Sequence, residues 1–215
     1  MRITDFENLI KAMPVEHQSF DTKYQTWKNT DQSQIIDKIF ESTNNGTLTL
    51  SRFDLFNSGY NLDEFVIKVL MWGYPTKGRG KNINTFLEQQ HFCSFIKKLK
   101  ISTSNKNITI SDIYELLNTK GLGFSTLSKI MYFKKIEFEG RLTLILDFRV
   151  IKTLNSGRFN DPGIENFKNL RYENSLHHYS YYLDFMHSLA IQLNTQPDRI
   201  EMFLYEFGMN LKEPI

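Results

Sequence analysis

The sequence predicts an all-α protein built as two lobes, and three observations carry that expectation. Apolar residues recur at helical spacing through most of the chain, while strand-like alternation is confined to two short stretches. A length of 215 residues with 40% hydrophobic content suffices for a substantial core. No internal repeat or low-complexity tract interrupts the pattern. The expected division is an N-terminal helical lobe over residues 1–100, with the C-terminal helices packing back on it, and a second lobe over residues 101–215.

Taken in order, Asp31 to Phe40 reads as a short helix, and Leu62 to Met71 as another after the Gly59-Tyr60-Asn61 break. Ile83 to Leu99 reads as one longer helix with Phe86, Leu87, Phe92, Phe95, Ile96 and Leu99 as its apolar residues. The polar segment 102–107 reads as a loop. Ser111 is placed to cap a helix over Asp112 to Asn118, with Asp112 favourable in the first turn beside the helix dipole. A glycine-containing turn and another helix follow at once. Leu176 to Leu193 carries Tyr179, Tyr182, Leu183, Met186, Ala190 and Leu193 near one face, which reads as core rather than as a base-stacking platform. Pro197 starts a last helix that stops at Gly208. Thr47 to Leu50 and Ile136 to Leu146 carry the strand character.

Several classes are excluded. Cys93 is the only cysteine, so there is no intramolecular disulfide, four-cysteine zinc site or cysteine-held iron–sulfur cluster. The five histidines supply no convincing ligand set, since the adjacent His177 and His178 would point about 100° apart on a helix. No metal site is expected. No run approaches the roughly 20 apolar residues that span a bilayer, and MRITDFENLIKAM lacks the apolar core of a secretory signal, so a cytoplasmic location without membrane contact is expected. A net charge of +2 argues only weakly for nucleic acid. Its distribution argues more, because Lys97, Lys98, Lys100 and Lys106, and then Lys120, Lys129, Lys134 and Lys135, form two stretches without an acid. These are a basic stripe or ordinary solvated lysines.

The most informative stretch is 121–150. Gly121-Leu122-Gly123 opens the apolar-periodic segment GLGFSTLSKIMYF, and a lone acid stands in the run Leu144-Ile145-Leu146-Asp147-Phe148-Arg149-Val150. A Gly-x-Gly turn between two helices can hold backbone N–H groups against a DNA phosphate, and a partly desolvated carboxylate can stabilise a sugar cation or activate water. Each feature has a plainer reading. The glycines fit an ordinary helix C-cap and turn, and Asp147 fits the N-cap of a helix over Phe148 to Leu154. Trp72 and Tyr74 line a base pocket or cap a helix against the core. Arg79 and Lys77, flanked by Gly78 and Gly80, sit in a basic loop that touches DNA or only solvent. Arg149 reaches a phosphate or pairs with an acid of its own fold.

Residues 111–154, about a fifth of the chain, resemble the helix-hairpin-helix DNA glycosylase superfamily, which includes the adenine and 8-oxoguanine glycosylases. The family's hairpin, Leu-x-Gly-Val/Ile-Gly, corresponds to the stretch from Leu117 through Gly123, and its catalytic segment resembles Leu144 to Val150. The resemblance implies two all-α lobes with the target base in the cleft between them, and Asp147 as the catalytic residue. The hairpin N–H groups of Gly121, Gly123 and Ser125 would bind one phosphate, with Lys129 and Arg149 as further phosphate contacts. A monovalent cation among the hairpin carbonyls is common in the family, and no other cofactor is implied. Trp72-Gly73-Tyr74-Pro75 with Arg79-Gly80, and the run IEMFLYEFG, are similar to a bacterial branch with an 8-oxoguanine-glycosylase fold found among phage-defence genes.

The position of the lysine nucleophile in bifunctional members falls on Ser125, which cannot form a Schiff base. Lys129 lies one helical turn later on the same face, as a substitute amine, a phosphate contact or a solvated side chain. The implied reaction is hydrolysis of an N-glycosidic bond without strand cleavage, on base-flipped duplex or modified phage DNA. Two other functions fit the same residues: a non-catalytic helix-hairpin-helix DNA-binding protein, and an N-glycosidase acting on nucleotides or RNA. The residues do not indicate a protein partner, the base excised or the oligomeric state.

Overall fold

A computed structural model describes residues 1–59, 61–78 and 80–211. In chain order the elements are α1 (Glu7–Lys11), β1 (Ser19–Lys23), α2 (Tyr24–Trp27), α3 (Ser33–Phe40), β2 (Thr47–Ser51), α4 (Arg52–Phe56), α5 (Leu62–Gly73), α6 (Asn82–Phe86) and α7 (Gln89–Ser102). They continue with β3 (Asn107–Ile108), α8 (Ile110–Leu117), α9 (Phe124–Phe133), β4 (Glu137–Phe138), β5 (Arg141–Leu142), α10 (Phe148–Leu154), α11 (Tyr179–Gln192) and α12 (Pro197–Glu206). The chain divides into two compact units, Glu16–Glu137 and a discontinuous one made of Met1–Val15 with Phe138–Ile215. The expected boundary after residue 100 therefore falls inside α7, in the first of these units. A sequence pattern cannot announce that a chain's first fifteen residues join its last helices, because that association is made by packing alone.

In the Glu16–Glu137 unit, α5 is the buried axis: Val66, Ile67, Val69, Leu70 and Met71 are shielded almost completely. It packs on α3, α7, α9 and the β1–β2 ribbon. Asn61 starts α5 by accepting the N–H groups of Asp63 and Glu64 at 3.1 and 3.2 Å. The ribbon is antiparallel, with Ser19 opposite Ser51 and Lys23 opposite Thr47. The strand character of Thr47 to Leu50 thus becomes β2, and the mostly polar β1 is the partner that patterning did not reveal. The single helix expected over Ile83 to Leu99 is two. Glu88 is extended at ψ 136, and α7 restarts with the Gln89 N–H donating to Asp31 Oδ2 at 2.9 Å. For α8 the cap is Thr109 rather than Ser111. Thr109 Oγ1 accepts the Asp112 N–H at 3.2 Å while Asp112 accepts the Thr109 N–H at 2.9 Å, a reciprocal capping box.

In the discontinuous unit, α12 packs against α1, α10 and α11. Asp161, almost fully buried, accepts the Ile3 N–H at 2.7 Å and ties the N-terminal segment in. At the passage from Glu137 to Phe138, where the chain changes unit, β4 pairs with β5 through a turn, Glu139-Gly140, with positive φ at both residues, 51° and 75°, as a tight two-residue connection requires. The all-α expectation is corrected by these short sheets in an otherwise helical chain. Among the described residues, no helix is long and apolar enough to cross a membrane.

Candidate active site

The Gly-x-Gly segment connects α8 to α9 as a tight turn. Leu122 N–H donates to Thr119 O at 3.2 Å, and Gly121 holds φ 80, a conformation that side chains with a Cβ rarely adopt. A methyl group at Gly121 would collide with the Asn82 carbonyl and lie 2.6 Å from Phe86 N, so the glycine is also required by the approach of α6. Gly123 is the N-cap of α9 and has no side chain to satisfy the first turn. Among the described residues, no backbone carbonyl accepts from the N–H groups of Gly121, Gly123 or Ser125. Lys120, next in the turn, is exposed.

All ten residues of α9 are buried, and Lys129 is among them at 3% exposure. Its ammonium donates to Ser125 Oγ at 3.0 Å and to the Ser125 carbonyl at 3.3 Å, and lies 5.3 Å from the centre of the Tyr74 ring. Its stem occupies a slot left by Gly73, where a Cβ would lie 2.8 Å from Lys129 Cδ. The Tyr74 and Thr126 hydroxyls share a hydrogen bond of 2.9 Å on the same side. Lys129 is therefore an interior amine, which corrects its reading as a solvated lysine or surface phosphate contact. Ser125, also buried at 5% exposure, holds that amine.

Asp147 follows three buried residues, Leu144, Ile145 and Leu146, that belong to no regular strand. Their backbone is held from α11. Tyr179 Oη accepts the Leu144 N–H at 3.1 Å and donates to the Leu144 carbonyl at 2.7 Å, and Tyr182 Oη donates to the Ile145 carbonyl at 2.8 Å. Burial pushes the Tyr179 phenol far above its usual range, so it stays protonated as a donor. Asp147 itself is half-buried and caps α10, its Oδ1 accepting from Arg149 N at 2.9 Å and Val150 N at 3.2 Å. Phe148 and Arg149 stand exposed beside it, with the Arg149 guanidinium 4.6 Å above the Tyr205 ring. Burial raises the Tyr205 phenol, a shift opposed by its hydrogen bond to Arg149.

The remaining expectations sort differently. Trp72 is core, not a base-pocket wall: it is 4% exposed, its Nε1–H donates to the Gln18 carbonyl at 3.2 Å, and its ring meets Phe20 and Phe133 at 5.3 and 5.1 Å. The buried Arg52 guanidinium stacks on it at 5.3 Å. Tyr74 is half-buried and belongs with Lys129. Arg79 lies outside the described residues. Lys77 is not merely solvated, since its ammonium lies 5.7 Å over the Trp27 ring and burial lowers its pKa. Among the described residues, no group of three or more His, Cys, Asp or Glu is placed to hold a metal ion. The residues that sequence reasoning missed are Gly73, Tyr179 and Tyr182. Only the Trp-Gly-Tyr turn gave a signal, and it pointed to Trp72 instead of the glycine.

Two helices joined by a glycine turn, and a carboxylate that caps a later helix, are the parts by which the helix-hairpin-helix glycosylase superfamily is identified. The chain belongs to the family described as "Putative 8-oxoguanine DNA glycosylase OGG-like protein", whose model matches residues 13–205. No curated protein and no solved structure matches the chain.

Proposed function

We propose that this chain is a monofunctional DNA N-glycosylase that releases a modified or damaged base and leaves an abasic site. The observation that carries the reading is the family match over residues 13–205, which takes in both the glycine turn and Asp147. In this reading the base leaves the stack at a cost of a few kcal/mol, least for one that pairs poorly. One phosphate sits on the N–H groups of Gly121, Gly123 and Ser125, with Lys120 adding charge, and Arg149 meets a phosphate separately. As the bond from C1′ to the base nitrogen breaks, positive charge builds on the sugar. Asp147, oriented by its hydrogen bonds within α10, stabilises that charge and takes a proton from the attacking water, whose oxygen bonds to C1′; the base keeps the bonding pair and takes a proton from solvent, and Asp147 returns its own proton to solvent. The family's name makes 8-oxoguanine the first base to test, and the likeness to phage-defence glycosylases makes hypermodified phage DNA the second.

A second reading of the chemical step uses Lys129, whose ammonium lies 3.0 Å from the side chain at the usual nucleophile's position, and it requires this buried group to come out to the sugar when DNA binds. Here the ammonium first gives a proton to solvent, the free amine attacks C1′ as the base leaves and takes up a proton, the sugar ring opens to an imine, and loss of a C2′ proton with β-elimination breaks the C3′–O bond to the 3′ phosphate.

Mass spectrometry of DNA treated with wild type and Asp147→Asn tests the first reading, using undamaged, 8-oxoguanine-containing and hypermodified phage DNA. Base release by wild type and its loss in the variant, by on the order of a hundredfold or more, is the expected result. Binding without release by either protein would replace the enzyme by a binding module. Release from mononucleotides that duplex DNA does not compete would move the substrate away from DNA. Borohydride trapping separates the two chemical steps, since only the amine route yields a covalent adduct that disappears in Lys129→Gln.

A further inference from the structure

Phe148 is a large apolar side chain that the fold leaves 55% exposed, although Val150, Ile151, Thr153 and Leu154 of the same helix are buried. A single exposed phenylalanine needs no explanation in general. This one directly follows Asp147, and two cations crowd its surroundings. The Lys152 ammonium lies 4.5 Å from the centre of the Phe148 ring, one helical turn on, and Arg149 is exposed next to it over the Tyr205 ring. Aromatic faces interleaved with cations are the composition that binds nucleic acid, because bases stack on the rings while the cations meet phosphates. The buried face of α10 and the Asp147 cap fix the position from which the ring projects.

Resting on the glycosylase reading, we propose that Phe148 is the side chain that stacks on DNA next to the extruded nucleotide and fills the gap it leaves, with Lys152 and Arg149 contacting the flanking phosphates. A phenyl ring there replaces the stacking that the neighbouring base loses when its partner is extruded. Phe148 thus favours the flipped state and holds the sugar beside Asp147. It is a positioning residue and takes no part in the bond-breaking.

The test uses the full chain and a short duplex carrying a tetrahydrofuran abasic analogue with 2-aminopurine as the adjacent base. Wild type is expected to bind this duplex better than the unmodified one and to change the 2-aminopurine fluorescence. Phe148→Ala should bind roughly tenfold or more weakly and abolish that change at an unaltered melting temperature, and Phe148→Trp should restore both. If Phe148→Ala melts earlier, Phe148→Leu decides: stacking requires the leucine variant to behave like alanine, and leucine binding as well as tryptophan overturns the proposal. An alanine variant with wild-type affinity and wild-type fluorescence also overturns it, while leaving the glycosylase reading intact. Failure of wild type to bind any duplex overturns both, and is recognised before any variant is made.

Discussion

The glycine turn with α9 and the segment that carries Asp147 solve the same problem, holding polar groups in fixed positions, in opposite ways. In the first, the polar groups are themselves packing elements. Ser125 and Lys129 are buried, Gly121 is pressed against the backbone of α6, and Gly73 is shaped around the Lys129 stem. In the second, only the anchors are buried. The hydroxyls of Tyr179 and Tyr182 fix the backbone just before Asp147, whereas the carboxylate is half-buried and the next two side chains are exposed. The difference teaches where stability and activity are coupled: around the turn, changes that press on backbone must disturb folding while those that press only on the Lys129 stem can be absorbed, and changes from Asp147 onward can touch function alone.

The largest effect that would sharpen this contrast is expected from Gly121→Ala. Its positive φ adds about 1–2 kcal/mol of strain, and the collision with the α6 backbone adds about 1–3 more, because backbone atoms cannot swing aside as a flexible side chain can. The melting temperature should fall by on the order of 10 °C in calorimetry, and an unchanged value would show that the turn is not the rigid, packed element described above. Next comes Tyr179→Phe, which removes the oxygen that both accepts from and donates to Leu144. A loss of about 1–3 kcal/mol in denaturant unfolding is expected.

How much of this was legible in the sequence follows the same divide. The helix Phe148–Leu154 and its Asp147 cap appear with the expected bounds, because capping is a local matter between a carboxylate and N–H groups two and three residues away. The glycine turn between α8 and α9 was legible for the same reason. The interior of the Glu16–Glu137 unit was not. Lys129 read as a substitute amine, a phosphate contact or a solvated side chain, because nothing near it in sequence says that Gly73, fifty-six positions earlier, opens a slot for its stem. Trp72 fitted a pocket wall as well as a cap against the core, because its neighbours Phe20 and Phe133, which decide for the core, come from other elements. The break at Glu88 depends on Asp31, a cap supplied from a distance. Tyr179 and Tyr182 read correctly as core, but the target of a buried phenol cannot be read from helical periodicity.

Two smaller effects probe the contrast from its other side. Asparagine caps a helix about as well as aspartate, so Asp147→Asn should leave the melting temperature nearly unchanged, while Asp147→Ala should lose about 1 kcal/mol of stability. Equal destabilisation by both variants would mean that the negative charge is held by folding interactions and that activity and stability are coupled here as well.

Gly73→Ala has the smallest expected effect on stability and the most informative one on chemistry. Alanine is favoured over glycine in a helix by up to about 1 kcal/mol, which here acts on the last residue of α5. Against it stands a methyl group 2.8 Å from Lys129 Cδ, and because that atom belongs to a flexible stem, the stem moves and the fold persists. The two terms nearly cancel in unfolding free energy, yet the ammonium leaves its place beside Ser125. If Lys129 is the attacking amine, Gly73→Ala should lower the borohydride-trapped adduct several-fold in a fully folded protein, since an ångström of misplacement costs far more in rate than in stability. If catalysis runs through Asp147 and water, the same variant should release base at close to the wild-type rate, and Lys129 would then be a packing residue that happens to carry a charge.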